Sequence, residues 1–131
     1  MPPRANYATI HVGAQLGPET RTLDLDWADD VGDETDAHEF DVPTADAADT
    51  YVGIQAFDVG AYGHEILING QRSGGFDIPP SDGWQYWVDT FGDAASLVAG
   101  VNDLRIARDT DTDDAFAVGT VTVHWREPSD A

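Results

Sequence analysis

Short segments in which apolar and polar residues alternate dominate this chain, and glycine, proline or acidic turns separate them every 8 to 15 residues. A period of two places successive side chains on opposite faces of an extended strand, so each segment can bury one face and expose the other. Many short strands of this kind, with few helix signals, favour two packed sheets. We predict an all-β fold, an antiparallel β-sandwich of eight or nine strands.

The alternation also gives approximate bounds for the elements. The predicted strands cover residues 7–12, 22–25, 38–42, 50–58, 64–68, 71–75, 84–91, 104–108 and 116–126. An acidic loop should occupy residues 29–37, a loop with two prolines residues 76–83, a short helical turn residues 93–99, and a short disordered tail residues 127–131. We expect a single domain over residues 1–131, because 41% of the residues are hydrophobic and can form a core.

The charge of the chain limits its environment and its partners. Twenty-five acidic residues oppose six arginines and no lysine, which gives a formal net charge of −19. At molar ionic strength the screening length falls to about 3 Å, and the repulsion among these carboxylates largely vanishes. We predict a halophilic protein with an acidic surface, which binds neither nucleic acid nor membranes because both carry negative charge.

The chain contains no cysteine, so disulfides and cysteine-based metal sites are excluded. No apolar run near the first residue resembles an export signal, and none is long enough to cross a bilayer. We therefore expect a cytoplasmic location.

Two segments carry a resemblance to a known superfamily. An apolar strand ends at Asn69-Gly70, and a Gly-x-Asn-x-Leu-x-Ile sequence begins at Gly100. Asn-Gly suits a tight hairpin, and the amide of Asn102 can bond the backbone of a turn. These features resemble the galactose-binding-like jelly roll, and the whole chain is similar to small haloarchaeal proteins of that type. The resemblance implies a sandwich that often binds sugars, sometimes with a structural calcium ion, as in carbohydrate-binding modules.

The segment 84–87 is the strongest candidate for sugar binding, since exposed aromatic rings stack on pyranoses. In an extended segment Trp84 and Tyr86 share one face, and Gln85 and Trp87 share the other, so one pair should be buried. The predicted ligand-binding residues are Trp84, Tyr86, Arg72, Asp82 and Gln85. The alternative is that these aromatic residues fill the interior of the sandwich, as we expect for Trp27 and Trp125.

No residue pattern predicts catalysis, a cofactor or a metal. The run 109–114 begins like an EF-hand loop, but Asp114 occupies the position of its glycine and Thr120 that of its glutamate. We interpret the run as a hydrated acidic hairpin tip. The four histidines are scattered, and His64-Glu65 does not match the metal motif of cupins. The many carboxylates also make any one pair uninformative about glycosidase chemistry.

Two functional hypotheses remain. The first is a non-catalytic binding module for carbohydrate that works in molar salt. The second is a subunit for protein interaction or homo-oligomeric assembly, in which an apolar patch interrupts the acidic surface and no small molecule binds.

Overall fold

The computed structural model describes residues 4–18, 23, 25–72, 78–90 and 97–128, with only the backbone of Arg72. Nine strands lie within these ranges. They are β1 (Arg4–Leu16), β2 (Asp29–Gly32), β3 (His38–Val42), β4 (Ala48–Val59), β5 (Glu65–Ile68), β6 (Gln71–Arg72), β7 (Ser81–Thr90), β8 (Gly100–Ala107) and β9 (Phe116–Glu127). None of the described residues forms a helix that is long and apolar enough to cross a membrane.

The strands form two sheets, which confirms the predicted all-β sandwich. The five-stranded sheet has the order β2-β1-β9-β4-β7, and the four-stranded sheet has the order β3-β8-β5-β6. All neighbouring strands are antiparallel except β1 and β2, which pair in parallel through Ala14 and Asp29. One edge departs from the antiparallel pairing, because part of the predicted acidic loop 29–37 is the strand β2, which pairs with β1 in parallel.

Alternate residues of the central strands form the core. Val52, Ile54 and Ala56 of β4 are completely buried, and Ile106 of β8 is completely buried in the opposite sheet. Trp125 points inward from β9, as the sequence predicted. The same alternation determines which residues lie on the outside of the five-stranded sheet, because every second residue must point away from the core.

The turns behind the superfamily resemblance are present. Asn69 and Gly70 both have positive φ angles, 53° and 79°, as a tight hairpin requires, and Gly100 has a φ of 95°. Asn102 is 1% exposed. Its amide oxygen accepts the Val98 N–H at 2.9 Å, and its amide nitrogen donates to the Val98 carbonyl at 2.8 Å. The Asn69 amide also donates to the Asn102 oxygen at 2.8 Å, which joins the two turns.

The run 109–114 is not simply a hydrated tip, and Asp114 corrects that interpretation. Asp114 is 6% exposed, and its carboxylate accepts the Gly60 N–H at 2.9 Å. The buried His64 contacts the same carboxylate through Nε2 at 2.7 Å, and its Nδ1 accepts the Asp109 N–H at 2.9 Å. Because Nδ1 is an acceptor, the hydrogen lies on Nε2, and the ring donates to Asp114. The pair joins the β4–β5 loop to the β8–β9 loop.

Several predicted bounds differ from the structure. β7 begins at Ser81, inside the predicted loop 76–83, and β9 ends at Glu127, inside the predicted tail. Half of the predicted strand 22–25 and most of the predicted helical turn 93–99 lie outside the described residues. Leu23 and Leu25, which are described, are not in a strand.

Candidate ligand-binding face

From Tyr51 to Phe57 of β4 and from Trp84 to Thr90 of β7, the outward positions carry no acidic residue, and neither do the outward positions of β1 and β9 beside them; Asp49 and Asp82 lie just beyond the two ends. This surface, which we call the outer face, consists of every second residue within these segments of β1, β9, β4 and β7. Its members are Ala5, Tyr7, Thr9, His11, Thr120, Thr122, His124, Arg126, Tyr51, Gly53, Gln55, Phe57, Trp84, Tyr86, Val88 and Thr90. In a chain with 25 acidic residues, this composition indicates a surface with a different role from the rest.

The opposite sheet shows the contrast. Its outward positions include Glu39 and Asp41 on β3, which are exposed, and Arg105 on β8. Arg105 lies 3.8 Å from Glu34 across the surface. That sheet therefore shares the charged character of the whole chain, and the outer face does not.

An aromatic cluster lies at one end of the outer face. Trp84 contacts Trp27 with ring centroids 5.1 Å apart, and Phe57 with centroids 5.2 Å apart. Trp84 is 53% exposed and Trp27 is 40% exposed. The prediction that Trp27 is a packing residue was wrong, because its indole lies on the surface of the sheet beside Trp84.

Glycines of the neighbouring strands lie beneath both rings. A Cβ atom added to Gly53 would overlap the hydroxyl of Tyr86, so the Tyr86 ring lies directly over this residue of β4. A Cβ added to Gly119 would lie 3.5 Å from the six-membered ring of Trp84. The side chains of β7 therefore cross the neighbouring strands and present a broad apolar surface to solvent.

The sequence correctly assigned the two faces of β7. Trp84 and Tyr86 are exposed on the outer face, and Trp87 packs against the core from the opposite face. A groove of about 260 Å³ lies between Trp84 and Tyr86, with Gln55 and Gln85 also lining it.

Of the predicted polar residues, Gln85 lines this groove. The Gln85 amide nitrogen donates to the Pro79 carbonyl at 2.7 Å, so it stabilises the loop before β7. Gln55, which the sequence did not single out, accepts the Thr120 N–H at 3.1 Å through its amide oxygen. Asp82 is exposed near the start of β7, and the side chain of Arg72 lies outside the described residues.

A second recess lies at the other end of the outer face, and no local pattern in the sequence indicates it. Tyr7, His124 and Tyr51 occupy paired positions of β1, β9 and β4. The rings of Tyr51 and His124 are stacked, with centroids 4.3 Å apart and planes inclined by 5°. A recess of about 510 Å³ beside them is lined by Asp49, Thr50, Tyr51, Thr90 and Arg126. Cross-strand pairing alone brings these residues together.

Residues 4–127 match the family DUF7383, which is described as a family of unknown function. The chain belongs to the DUF7383 family. No curated protein has a sequence that matches it significantly.

Solved structures share the fold of this DUF7383 chain at low sequence identity. The CBM36-1 domain of a multidomain xylanase from the hindgut metagenome of Trinervitermes trinervoides has 7% identity and a TM-score of 0.58, over 96% of this chain and 100% of that chain. Dimeric latent PorU from Porphyromonas gingivalis has 8% identity and a TM-score of 0.58, over 97% and 13%. The Podospora anserina GH26-CBM35 β-(1,4)-mannanase has 13% identity and a TM-score of 0.54, over 94% and 28%. These similarities concern the jelly-roll sandwich.

Two titratable residues of the DUF7383 chain, Glu127 and His64, have structural partners away from the outer face. Glu127 has a lowered pKa, chiefly because its carboxylate accepts the Trp125 indole N–H, and also because Asn6 and Arg4 donate to it. These bonds hold the end of β9 against β1. His64 is buried and engaged on both ring nitrogens. In the described ranges, no group of three His, Asp or Glu side chains is arranged to hold a metal ion.

Proposed function

We propose that this chain is a non-catalytic binding module for carbohydrate that works at molar salt, and that its outer face is the binding surface. The observation that carries the proposal is the exposed aromatic surface of Trp84 and Tyr86, whose paired positions on β4 are the uncharged Phe57 and Gln55. We also propose that it acts in the cytoplasm of a haloarchaeal cell, on the basis of its composition.

The geometry suits stacking against sugar rings. Rings that lie over a sheet present one wide apolar surface, and the apolar face of a pyranose can cover it without losing its hydroxyl contacts to water. The neighbouring Thr120, Thr122 and Gln55 provide hydroxyl and amide groups on the same face. Such groups orient a ligand whose main contact is apolar.

The shared fold supports the same function. The similar structures include a domain named CBM36-1, and CBM stands for carbohydrate-binding module. Folds host many functions, so the proposal depends on the exposed rings of Trp84 and Tyr86 and on the uncharged residues paired with them.

Calorimetric titration with a panel of neutral oligosaccharides and soluble polysaccharides, in about 3 M KCl, tests the proposal. We expect binding to at least one of them, and Trp84→Ala should weaken it about tenfold or more. Tyr62→Ala is the matched control, because Tyr62 is equally exposed but lies in the β4–β5 loop, away from the outer face. Binding that Trp84→Ala leaves unchanged, or no binding to any sugar, would contradict the proposal.

Self-association is the second candidate, and the outer face favours it. Two outer faces can meet with few carboxylates opposite one another, because Asp49 and Asp82 lie at its ends, whereas the opposite sheet presents Glu39 and Asp41. Light scattering in the same salt decides between the two functions. A dimer that dissociates when Tyr86 is replaced by arginine supports assembly, and a monomer at all concentrations refutes it.

A further inference from the structure

The recess beside Tyr51 differs chemically from the groove beside Trp84. It contains Arg126, which is the only arginine on the outer face and is 57% exposed. Thr50 and Thr90 supply hydroxyl groups at its rim. The stacked rings of Tyr51 and His124 provide a flat apolar surface next to the guanidinium.

The ionic partner of Arg126 is weakly engaged. The nearest carboxylate oxygen, on Asp49, is 4.0 Å from the guanidinium, and the Asp49 side chain is 77% exposed. Ion pairs of this length between exposed groups contribute little stability. Asp49 also has a positive φ of 51°, which is uncommon for a residue other than glycine. The guanidinium can therefore exchange this partner for a ligand oxyanion at low cost.

From this arrangement, and given the proposed sugar-binding function, we infer that the recess is a second subsite that binds a sugar unit carrying an oxyanion. The sugar ring packs on Tyr51, and the oxyanion accepts hydrogen bonds from Arg126. The planar guanidinium forms two parallel bonds to a carboxylate or a sulfate.

The net charge of −19 does not oppose this binding at molar salt. At molar salt, repulsion between charges more than about 3 Å apart is largely screened. A hydrogen bond between a guanidinium and an oxyanion is no longer than this distance, so it persists. The ligand would extend along β4, because Tyr51 and Phe57 are six residues apart on this strand, which corresponds to roughly 20 Å. The preferred ligand is then a linear glycan that reaches both the aromatic cluster and the recess.

The test uses three forms of the neutral oligosaccharide that binds best. One is unmodified, one carries a carboxylate on its terminal unit, and one carries a sulfate ester there. We expect both charged forms to bind the wild-type protein about tenfold more tightly than the neutral form at about 3 M KCl. If only one of them gains, the oxyanion is identified as carboxylate or as sulfate.

Three variants assign that gain to the recess. Arg126→Gln should abolish the advantage of the charged form, so that charged and neutral forms bind this variant with the same affinity. Asp49→Asn should increase the advantage, because it removes the competing carboxylate and retains a residue that tolerates a positive φ. Arg105→Gln is the matched control, since Arg105 is also exposed beside a loose carboxylate partner, on the opposite sheet. It should change nothing.

Two outcomes separate the inference from the proposed function. Equal affinities of the wild-type protein for neutral and charged forms, with binding still lost in Trp84→Ala, would overturn the second subsite and leave sugar binding in place. The absence of binding to every form would overturn both. Thermal melts of each variant in the same buffer verify folding.

Discussion

Replacing Gly53 by alanine should damage the binding surface without removing any ring from it. The added methyl group would occupy the space of the Tyr86 hydroxyl, so the phenol must rotate away from the sheet. Tyr86 is 58% exposed. For a side chain of roughly 200 Å², this leaves about 115 Å² accessible, of which a stacked sugar would cover about half. At about 25 cal/mol per Å², the lost contact is worth about 1.5 kcal/mol, or about tenfold in affinity.

The free energy of unfolding should increase slightly or stay unchanged in Gly53→Ala. Alanine restricts the unfolded chain more than glycine does, and this stabilises a strand position by about 0.5 to 1 kcal/mol where φ is not positive. The displaced Tyr86 ring is mostly in solvent, so its movement offsets only part of that gain. Loss of binding with an unchanged or higher melting temperature would show that Gly53 supports the binding surface and not the stability of the fold.

The assay is calorimetric titration of Gly53→Ala, Tyr86→Ala and the double variant in about 3 M KCl. If Gly53 acts only through Tyr86, the double variant should bind as weakly as Tyr86→Ala and no more weakly. Gly119→Ala should have a smaller effect, because its Cβ would lie at 3.5 Å from the Trp84 ring. Wild-type affinity in Gly53→Ala, or additive losses in the double variant, would refute the reasoning.

Three further predictions concern the fold and its solvent. Asn102→Ala should lower the free energy of unfolding by about 3 kcal/mol in a urea titration, because it removes a buried amide and its three hydrogen bonds to the backbone of residues 98–100, whereas Gln71→Ala at the exposed hairpin should change it by less than about 0.5 kcal/mol. Glu127 has a folded pKa below its unfolded value, so its stabilising contribution is present above the unfolded pKa and is lost as the pH falls through the folded pKa. Glu127→Gln should therefore reduce the acid dependence of the melting temperature, and an unchanged dependence would show that the bonds from Trp125 and Asn6 do not matter. The fold should also lose stability below about 0.5 to 1 M KCl as screening weakens, and identical melts at about 0.1 and 3 M would contradict the halophilic interpretation.

The sequence was most informative where local geometry decides the structure. Asn69-Gly70 admits few turns, and Gly100 with Asn102 marks another, so both could be assigned before any coordinates. The period of two also separated Trp84 and Tyr86 from Trp87. It could not decide which pair faces solvent, because both faces of β7 carry large rings and only packing against the second sheet distinguishes them.

The remaining features depend on residues that are distant in the chain. Tyr7, Tyr51 and His124 meet only because β1, β9 and β4 pair in one register, and no local pattern indicates that register. The same reason explains why Asp114, which looks like one more hydrated carboxylate, is the buried partner of His64. Composition predicts an acidic surface but does not indicate that the outward positions around Trp84 and Tyr86 are uncharged.

The bond between His64 and Asp114 also limits how this chain can be altered. The two residues belong to different loops, and each satisfies a buried polar group of the other. Replacing the β8–β9 loop with a foreign one would leave the buried imidazole without its hydrogen-bond partner unless the β4–β5 loop is replaced with it. In an alignment of relatives, the two positions should therefore covary, and the two loops should be conserved or replaced together.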